Sequence, residues 1–197
     1  MTRIVAGFAG SLSLQVPKAG TRPTSDRVRE AIFSALESRD AIRYTRVLDL
    51  FAGSGALGLE AASRGASSAT LVERGSAAAQ ICRRNAAAVL KAAPPSARPS
   101  IDVATTTVQS FLNASTAEFD LVFVDPPYDL SDDELVHALK TLEPRLSADA
   151  IVCVERSTRS GEPDWPAGLL LDRRKDYGET AVWWLGADQP LRPSQPR

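Results

Sequence analysis

Val47-Leu48-Asp49-Leu50-Phe51-Ala52-Gly53-Ser54-Gly55-Ala56-Leu57-Gly58 is the stretch on which the fold turns. Val47–Leu50 is a short apolar run carrying one carboxylate, and the small residues after Gly55 begin a helix over Ala56–Ser63 that Gly65 ends. Strand, glycine turn and helix in that order open a βα unit. Gly53 and Gly55 let the backbone turn tightly and approach a ligand with no Cβ in the way. Glu73 closes the next apolar run, Ala69–Glu73, where a carboxylate can accept hydrogen bonds from both hydroxyls of a ribose. An adenosine-containing ligand across the first two strands is the expectation; the structural alternative is a glycine turn without a ligand.

Charge separates two such ligands. Gly53-x-Gly55-x-x-Gly58 also satisfies the dinucleotide fingerprint, but a pyrophosphate at a helix N-terminus needs backbone N–H groups and no nearby anion. Asp49 puts an anion beside that loop. It repels a pyrophosphate and attracts the ammonium and sulfonium of S-adenosylmethionine, so the methyl donor is the favoured cofactor.

Downstream, the βα alternation continues. A helix spans Ser76–Leu90, a proline-rich loop follows over Ala92–Ser100, and Ile101–Ala104 is a third strand. Phe119–Val124 is apolar at nearly every position, as a parallel strand covered on both faces should be. A helix over Asp132–Leu142 and a strand over Ala150–Glu155 come next; Leu169–Arg173 and Thr180–Leu185 close the domain as an antiparallel pair. Upstream, Arg3–Phe8 and Ser11–Val16 read as a hairpin meeting near Gly10. After the link Pro17–Pro23, Thr24 or Ser25 can cap a helix whose Val28, Ile32, Phe33, Ala35 and Leu36 share one face. The fold class is α/β, doubly wound. Residues 1–20 form a hairpin extension, 21–187 the main domain, and 188–197, with their prolines, a disordered tail.

The second chemical motif follows the strongest strand. Asp125-Pro126-Pro127-Tyr128 projects from its carboxyl end, where open α/β sheets bind ligands. An exocyclic base amine is a poor nucleophile because its lone pair is delocalised into the ring. Two acceptors aimed at its hydrogens, the Asp125 carboxylate and the Pro126 carbonyl, localise that lone pair and stabilise the positive charge that develops during methyl transfer. Pro126 and Pro127 stiffen the turn, and Tyr128 offers a face for an extruded base. The bland alternative, a turn leaving a strand, loses weight because the glycine loop occupies the expected earlier strand.

Composition agrees with an ordinary globular domain. Of 197 residues, 44% are hydrophobic and 24% charged, and no apolar run approaches the ~20 residues of a membrane span. With no signal-peptide core at the N-terminus, a cytoplasmic location is expected, and Cys82 and Cys153 read as small apolar residues without metal spacing. The net charge is −1, yet Arg3, Lys18, Arg22, Arg27 and Arg29 outnumber Asp26 and Glu30 in the first thirty residues. That basic arm suits RNA phosphates or a solvated surface. His137 reads as structural, Trp165, Trp183 and Trp184 as packing, and Asp129, Asp132, Asp133 and Glu134 as helix capping.

Three stretches together resemble the RsmD-like family, the 16S rRNA guanine-N2 methyltransferases of bacteria: Arg22-Pro23-Thr24-Ser25-Asp26-Arg27-Val28-Arg29-Glu30-Ala31-Ile32-Phe33, Asp49 through Glu60, and Val122-Phe123-Val124-Asp125-Pro126-Pro127-Tyr128. The first discriminates most, since the other two occur in many amine methyltransferases. The resemblance implies a class I, Rossmann-like, mostly parallel seven-stranded sheet whose last strand is antiparallel, with a small N-terminal β-hairpin. It implies S-adenosyl-L-methionine as cofactor, no metal, and a monomer that acts on 16S rRNA in the small subunit or an assembly intermediate, of the guanine(966)-N(2) type. Carried over by position, Thr24 and Arg27 flank the methionine end of the cofactor. Asp49, Phe51, Gly53, Gly55 and Asp125 line it, and Glu73 holds the ribose. Arg3, Lys18, Arg22 and Arg29 are the candidate RNA contacts. Two places depart from the family. Ser11-Leu12-Ser13-Leu14 is neutral where a cation is usual, and Thr105-Thr106-Thr107-Val108 replaces the acid or amide that often reaches the adenine. There the Thr107 hydroxyl and the Val108 N–H are the substitutes.

Rival readings are a DNA adenine-N6 or cytosine-N4 methyltransferase, which usually carries a separate target-recognition domain, and a non-catalytic ribosome assembly factor. Cytosine-C5 chemistry needs a thiolate that neither Cys82 nor Cys153 is placed to supply.

Overall fold

The computed structural model describes residues 2–17 and 25–187. Two two-residue strands, β1 (Thr2–Arg3) and β2 (Ser13–Leu14), pair antiparallel at the start. The hairpin expected there exists, but it is far shorter than Arg3–Phe8 with Ser11–Val16. Turns occupy Ala6–Ser11, and the amides of Val5, Ala6 and Ala9 bond to side chains of the following domain instead of to a partner strand.

Then come α1 (Asp26–Glu37), β3 (Arg46–Leu50), α2 (Ala56–Ser63), β4 (Ser68–Val72), α3 (Ser76–Ala92), β5 (Ser100–Ala104), α4 (Val108–Ala114), β6 (Phe119–Val124), α5 (Asp132–Leu142), β7 (Leu146–Ser157), β8 (Leu169–Tyr177) and β9 (Thr180–Ala187). Ser25 caps α1, its hydroxyl accepting from the Val28 N–H. The sheet order is β5-β4-β3-β6-β7-β9-β8, with β9 antiparallel to both its neighbours and β3–β7 mutually parallel. The expected class I architecture, last strand antiparallel, is therefore the architecture found.

Alternation along the strands feeds two cores. Val47, Leu121, Phe123, Cys153, Val182 and Trp184 join the buried faces of α1, α2 and α3. Leu48, Leu50, Val122, Val124, Val152, Val154, Trp183 and Leu185 join those of α4 and α5. Trp183 and Trp184, consecutive in sequence, are buried in opposite layers, which bears out the packing role read for them. Cys82 and Cys153 are buried in the first core, where the lack of solvation pushes both thiols far above their usual range.

The strand order reverses between β3 and β6, because β4 lies on one side of β3 and β6 on the other. At such a switch point the connections diverge to opposite faces and leave a crevice beyond the carboxyl ends. Both motifs, the glycine loop after β3 and the Asp-Pro-Pro-Tyr segment after β6, open into it.

Candidate active site

The loop after β3 is wound in the left-handed region: Phe51 has φ 65°, Gly53 φ 55° and Gly55 φ 80°. For Phe51, which carries a Cβ, that conformation costs ~1–2 kcal/mol. The surrounding bonds hold it, with the Ala52 N–H donating to the Val72 carbonyl (2.9 Å) and the Gly55 N–H to that of Ala52 (2.6 Å). Phe51 and Gly53 line the crevice. Gly55 does not. A Cβ there would lie 2.8 Å from Cys82 Sγ, so its missing side chain serves the packing of α2 on α3. Gly58 does the same against β4, where a Cβ would meet Leu71 Cδ2 at 2.2 Å.

Glu73 follows β4 and clasps the loop. Its Oε2 accepts from the Gly53 N–H (2.9 Å) and its Oε1 from the Gly75 N–H (2.6 Å). Each carboxylate oxygen retains a lone pair for a further donor. Asp49 lies within β3, one residue before its end, and is 1% exposed. Its Oδ2 accepts from the Gly58 N–H at 2.9 Å. Desolvation pushes its carboxyl up to about 7; the Gly58 bond opposes this, and the nearby charges of Asp125 and Glu73 add to it. Three carboxylates thus face one cleft, and a cation entering it relieves their mutual repulsion.

Asp125, Pro126, Pro127 and Tyr128 line a cavity of about 190 Å³ together with Asp49, Phe51 and Gly53. Tyr128 is 76% exposed, leaving a ring face open. Beyond Tyr128 the segment is tied down at three points. The Leu130 N–H donates to the Pro127 carbonyl (3.0 Å), and Ser131 and Glu134 form a capping box at the start of α5. Arg156 at the end of β7 donates to the Leu130 carbonyl (3.2 Å) and to Asp132 (2.6 Å). Glu134 and Asp132 therefore do the structural work read for the acidic cluster.

A larger cleft of about 1330 Å³ adjoins this cavity and shares Phe51, Gly53, Asp125 and Pro127 with it. Glu73, Gly75, Thr107, Val108 and Leu130 are among its walls. One compartment is large enough for a nucleoside and the smaller one for a planar base edge, with Asp125 at their junction. The donor set suits S-adenosylmethionine: carboxylates for its cationic end, Glu73 for hydroxyls, apolar walls for the adenine. Thr107 caps α4, its hydroxyl accepting from the Ser110 N–H (3.1 Å) and donating to the Ser110 hydroxyl (2.9 Å). That hydroxyl is already engaged, so the Val108 N–H, which has no acceptor within the helix, is the better placed of the two for an adenine edge.

Other expectations fare differently. Arg29 is fully buried, not an RNA contact. Its Nη2 donates to the Arg3 carbonyl (2.6 Å) and to Asp26 (2.7 Å), and burial lowers its pKa against the pull of Asp26 and Glu60. It sits on the apolar stripe of α1, which a cationic side chain disguises in sequence. Arg27 is exposed on α1 and is not among the residues lining either compartment. Arg3 is exposed, 3.9 Å from Asp26. Thr24, Lys18 and Arg22 lie outside the described residues, as does the tail 188–197. Sequence reasoning passed over Val16, Pro17, Glu155, Arg156, Ser160 and Thr180, which line the smaller cavity. Glu155, an acid at a strand end like Asp49, carried a readable signal; the rest arrive from distant parts of the chain.

The family model described as conserved hypothetical protein 95 matches residues 2–186. The ribosomal RNA small subunit methyltransferase D of Escherichia coli (strain K12) is 40% identical over 182 residues, covering 91% of this chain and 86% of that protein. Its namesake in Haemophilus influenzae is 35% identical over 156 residues, covering 78% and 77%. The solved structure of the Escherichia coli protein yhhF aligns with TM-score 0.79 at 35% identity, covering 96% of this chain and 99% of that one.

Proposed function

The chain belongs to the family described as conserved hypothetical protein 95, the RsmD-like group, and on that premise we propose that it methylates the N2 amine of a guanine in small-subunit rRNA, with S-adenosylmethionine as the donor. One observation carries this reading: Asp49 and Glu73 meet Asp125, Pro126 and Tyr128 at a single switch-point crevice with two joined compartments. The cofactor supplies an electrophilic methyl group.

The protein's own groups do the rest. Asp49 and Asp125 favour the cationic end of the donor, and Glu73 the ribose, while it keeps the Gly53 loop in place. The Asp125 carboxylate and the Pro126 carbonyl accept the two amine hydrogens, localising the nitrogen lone pair towards the methyl carbon. With the donor bound, the N–C bond would form as the sulfonium–methyl bond breaks, its electron pair staying on the departing thioether sulfur, and Asp125 would accept the proton the nitrogen loses and pass it to water. Tyr128 stacks on the base. Arg3, with Lys18 and Arg22, is assigned to RNA phosphates, and Thr24 to the methionine end of the cofactor, a role that Arg27, which lines neither compartment, does not share. The reading includes a monomer working in the cytoplasm on a subunit or an assembly intermediate.

Mass spectrometry of nucleosides from rRNA tests it. N2-methylguanosine is expected to vanish when the gene is deleted and return on complementation, whereas methylated adenine or cytosine in DNA changing in its place would overturn the choice of base. Asp125→Ala should bind S-adenosylmethionine in calorimetry yet lose at least ~100-fold in turnover, the scale of removing one preorganised electrostatic group. Full turnover in that variant would remove the chemistry assigned to the motif, and unchanged cellular function without turnover would point to an assembly factor.

A further inference from the structure

The motif after β6 has a neighbour. Val124 and Val154 are register partners in the parallel strands β6 and β7, so the next residues on the two strands are Asp125 and Glu155. Phe123 and Cys153 face the core under α1–α3, and Val124 and Val154 that under α4 and α5. Continued alternation puts Asp125 and Glu155 on the same side, and both line the smaller cavity with Tyr128. Adjacent strands lie ~4.8 Å apart, so two carboxylates reach one small cavity side by side. Glu155 is also held from the other side, paired with Val182 of β9, so its backbone sits inside the sheet and not on a loop.

We infer that Glu155 selects guanine by accepting its N1–H while Asp125 and the Pro126 carbonyl accept the N2 hydrogens, an assignment that rests on the methyl-transfer reading above. Guanine presents a ring N–H next to the carbon that bears its amine. Adenine (at N1) and cytosine (at N3) present a lone pair at the equivalent position, which a carboxylate repels. Asp-Pro-Pro-Tyr alone serves any of these amines; the added acid on β7 makes the edge complementary to guanine only. A site built to take a ring N–H rejects analogues lacking it by large factors, because the buried acceptor is then left opposite another acceptor.

The test uses small-subunit rRNA in which the guanine located by nucleoside mapping is replaced by 2-aminopurine. That base keeps the N2 amine but has a lone pair at N1. The wild-type enzyme should prefer guanine by on the order of 100-fold in kcat/KM. Glu155→Gln, whose amide can donate to that lone pair, should shrink the preference at least ~10-fold while retaining affinity for S-adenosylmethionine. The absence of O6 from 2-aminopurine is common to both enzymes and cancels. A Glu155→Gln protein that binds cofactor and keeps the wild-type preference overturns the inference, and so does a wild type that methylates both bases equally well. Should Glu155→Gln fail to bind cofactor, Glu155→Ala is the second variant, with the same loss of preference expected. Absence of any guanine methylation by the wild type would instead sink the functional reading.

Discussion

Asp49 couples the cofactor site to pH. In the folded chain its carboxyl titrates at about 7, chiefly because burial strips its water; unfolded, it reverts to ~3.9. Folding therefore retains a proton between those values. The stability that this proton accompanies is complete below the unfolded value, falls as pH climbs to about 7, and is level above, a loss on the order of a few kcal/mol. Asp49→Asn keeps an acceptor for the Gly58 N–H and carries no charge, so it should melt near the wild type at pH 4 but at least ~5 °C higher at pH 8. An equal difference at both pH values would remove the ionisation from the explanation. The same substitution should weaken S-adenosylmethionine binding. It should also abolish the rise in wild-type affinity with pH, which reaches about tenfold per unit below 7 if the cation binds only the ionised form.

At the scale of elements, the crevice depends on how closely α2 seats on β4. Gly58 permits that approach, since a Cβ there would lie 2.2 Å from Leu71 Cδ2 and 3.2 Å from Asp49 Cβ. Leu71 is fully buried and has nowhere to retreat. Gly58→Ala should cost ~1–3 kcal/mol by overpacking and lower the Tm by about 3–10 °C. By moving Asp49 and the Gly53 loop, it should also weaken cofactor affinity, measured by calorimetry on the still-folded protein. An alanine variant with unchanged Tm and unchanged affinity would mean that the helix shifts freely, against the close seating described.

On the scale of the whole molecule, a buried ionic network fastens the N-terminal hairpin. Glu60 is 0% exposed; its Oε2 accepts from the Val5 N–H (2.6 Å), and its Oε1 from the Ala6 N–H (3.0 Å) and from Arg64 Nε (2.7 Å). Arg64 in turn pairs with Glu37 at 2.8 Å and lies over the Phe33 ring. Hairpin, α1 and α2 thus share one network, and Val16 and Pro17 from the hairpin's exit reach both compartments of the crevice. Glu60→Ala leaves two amides and the buried Nε of Arg64 without their acceptor, which costs ~3–5 kcal/mol. The Tm should drop by about 10 °C. Hydrogen exchange over residues 2–17 should accelerate more than in β3 and β6, and protection retained there would show that the apolar contacts of Ile4 and Leu14 hold the hairpin alone.

Much of this was legible locally. An unbroken apolar run marked the bounds of β6, a glycine break those of α2, and a serine followed by three acids the start of α5, as the structure has them, because such signatures lie in consecutive residues. Asp49 and Asp125 stood out as acids at strand ends for the same reason. Other features escaped. The helix α4 is seven residues long behind a threonine run, and β8 extends to Tyr177 through charged residues that suit a sheet edge. Arg29 looked like surface because its charge hides its place on a buried helix face. Periodicity alone could settle which residues alternate on a strand, but not which strands lie side by side. The reversal of strand order at the β3/β6 switch point brings Asp49, Glu73, Asp125 and Glu155 to one crevice, and that neighbourhood exists only once hydrogen bonds between distant segments order the sheet.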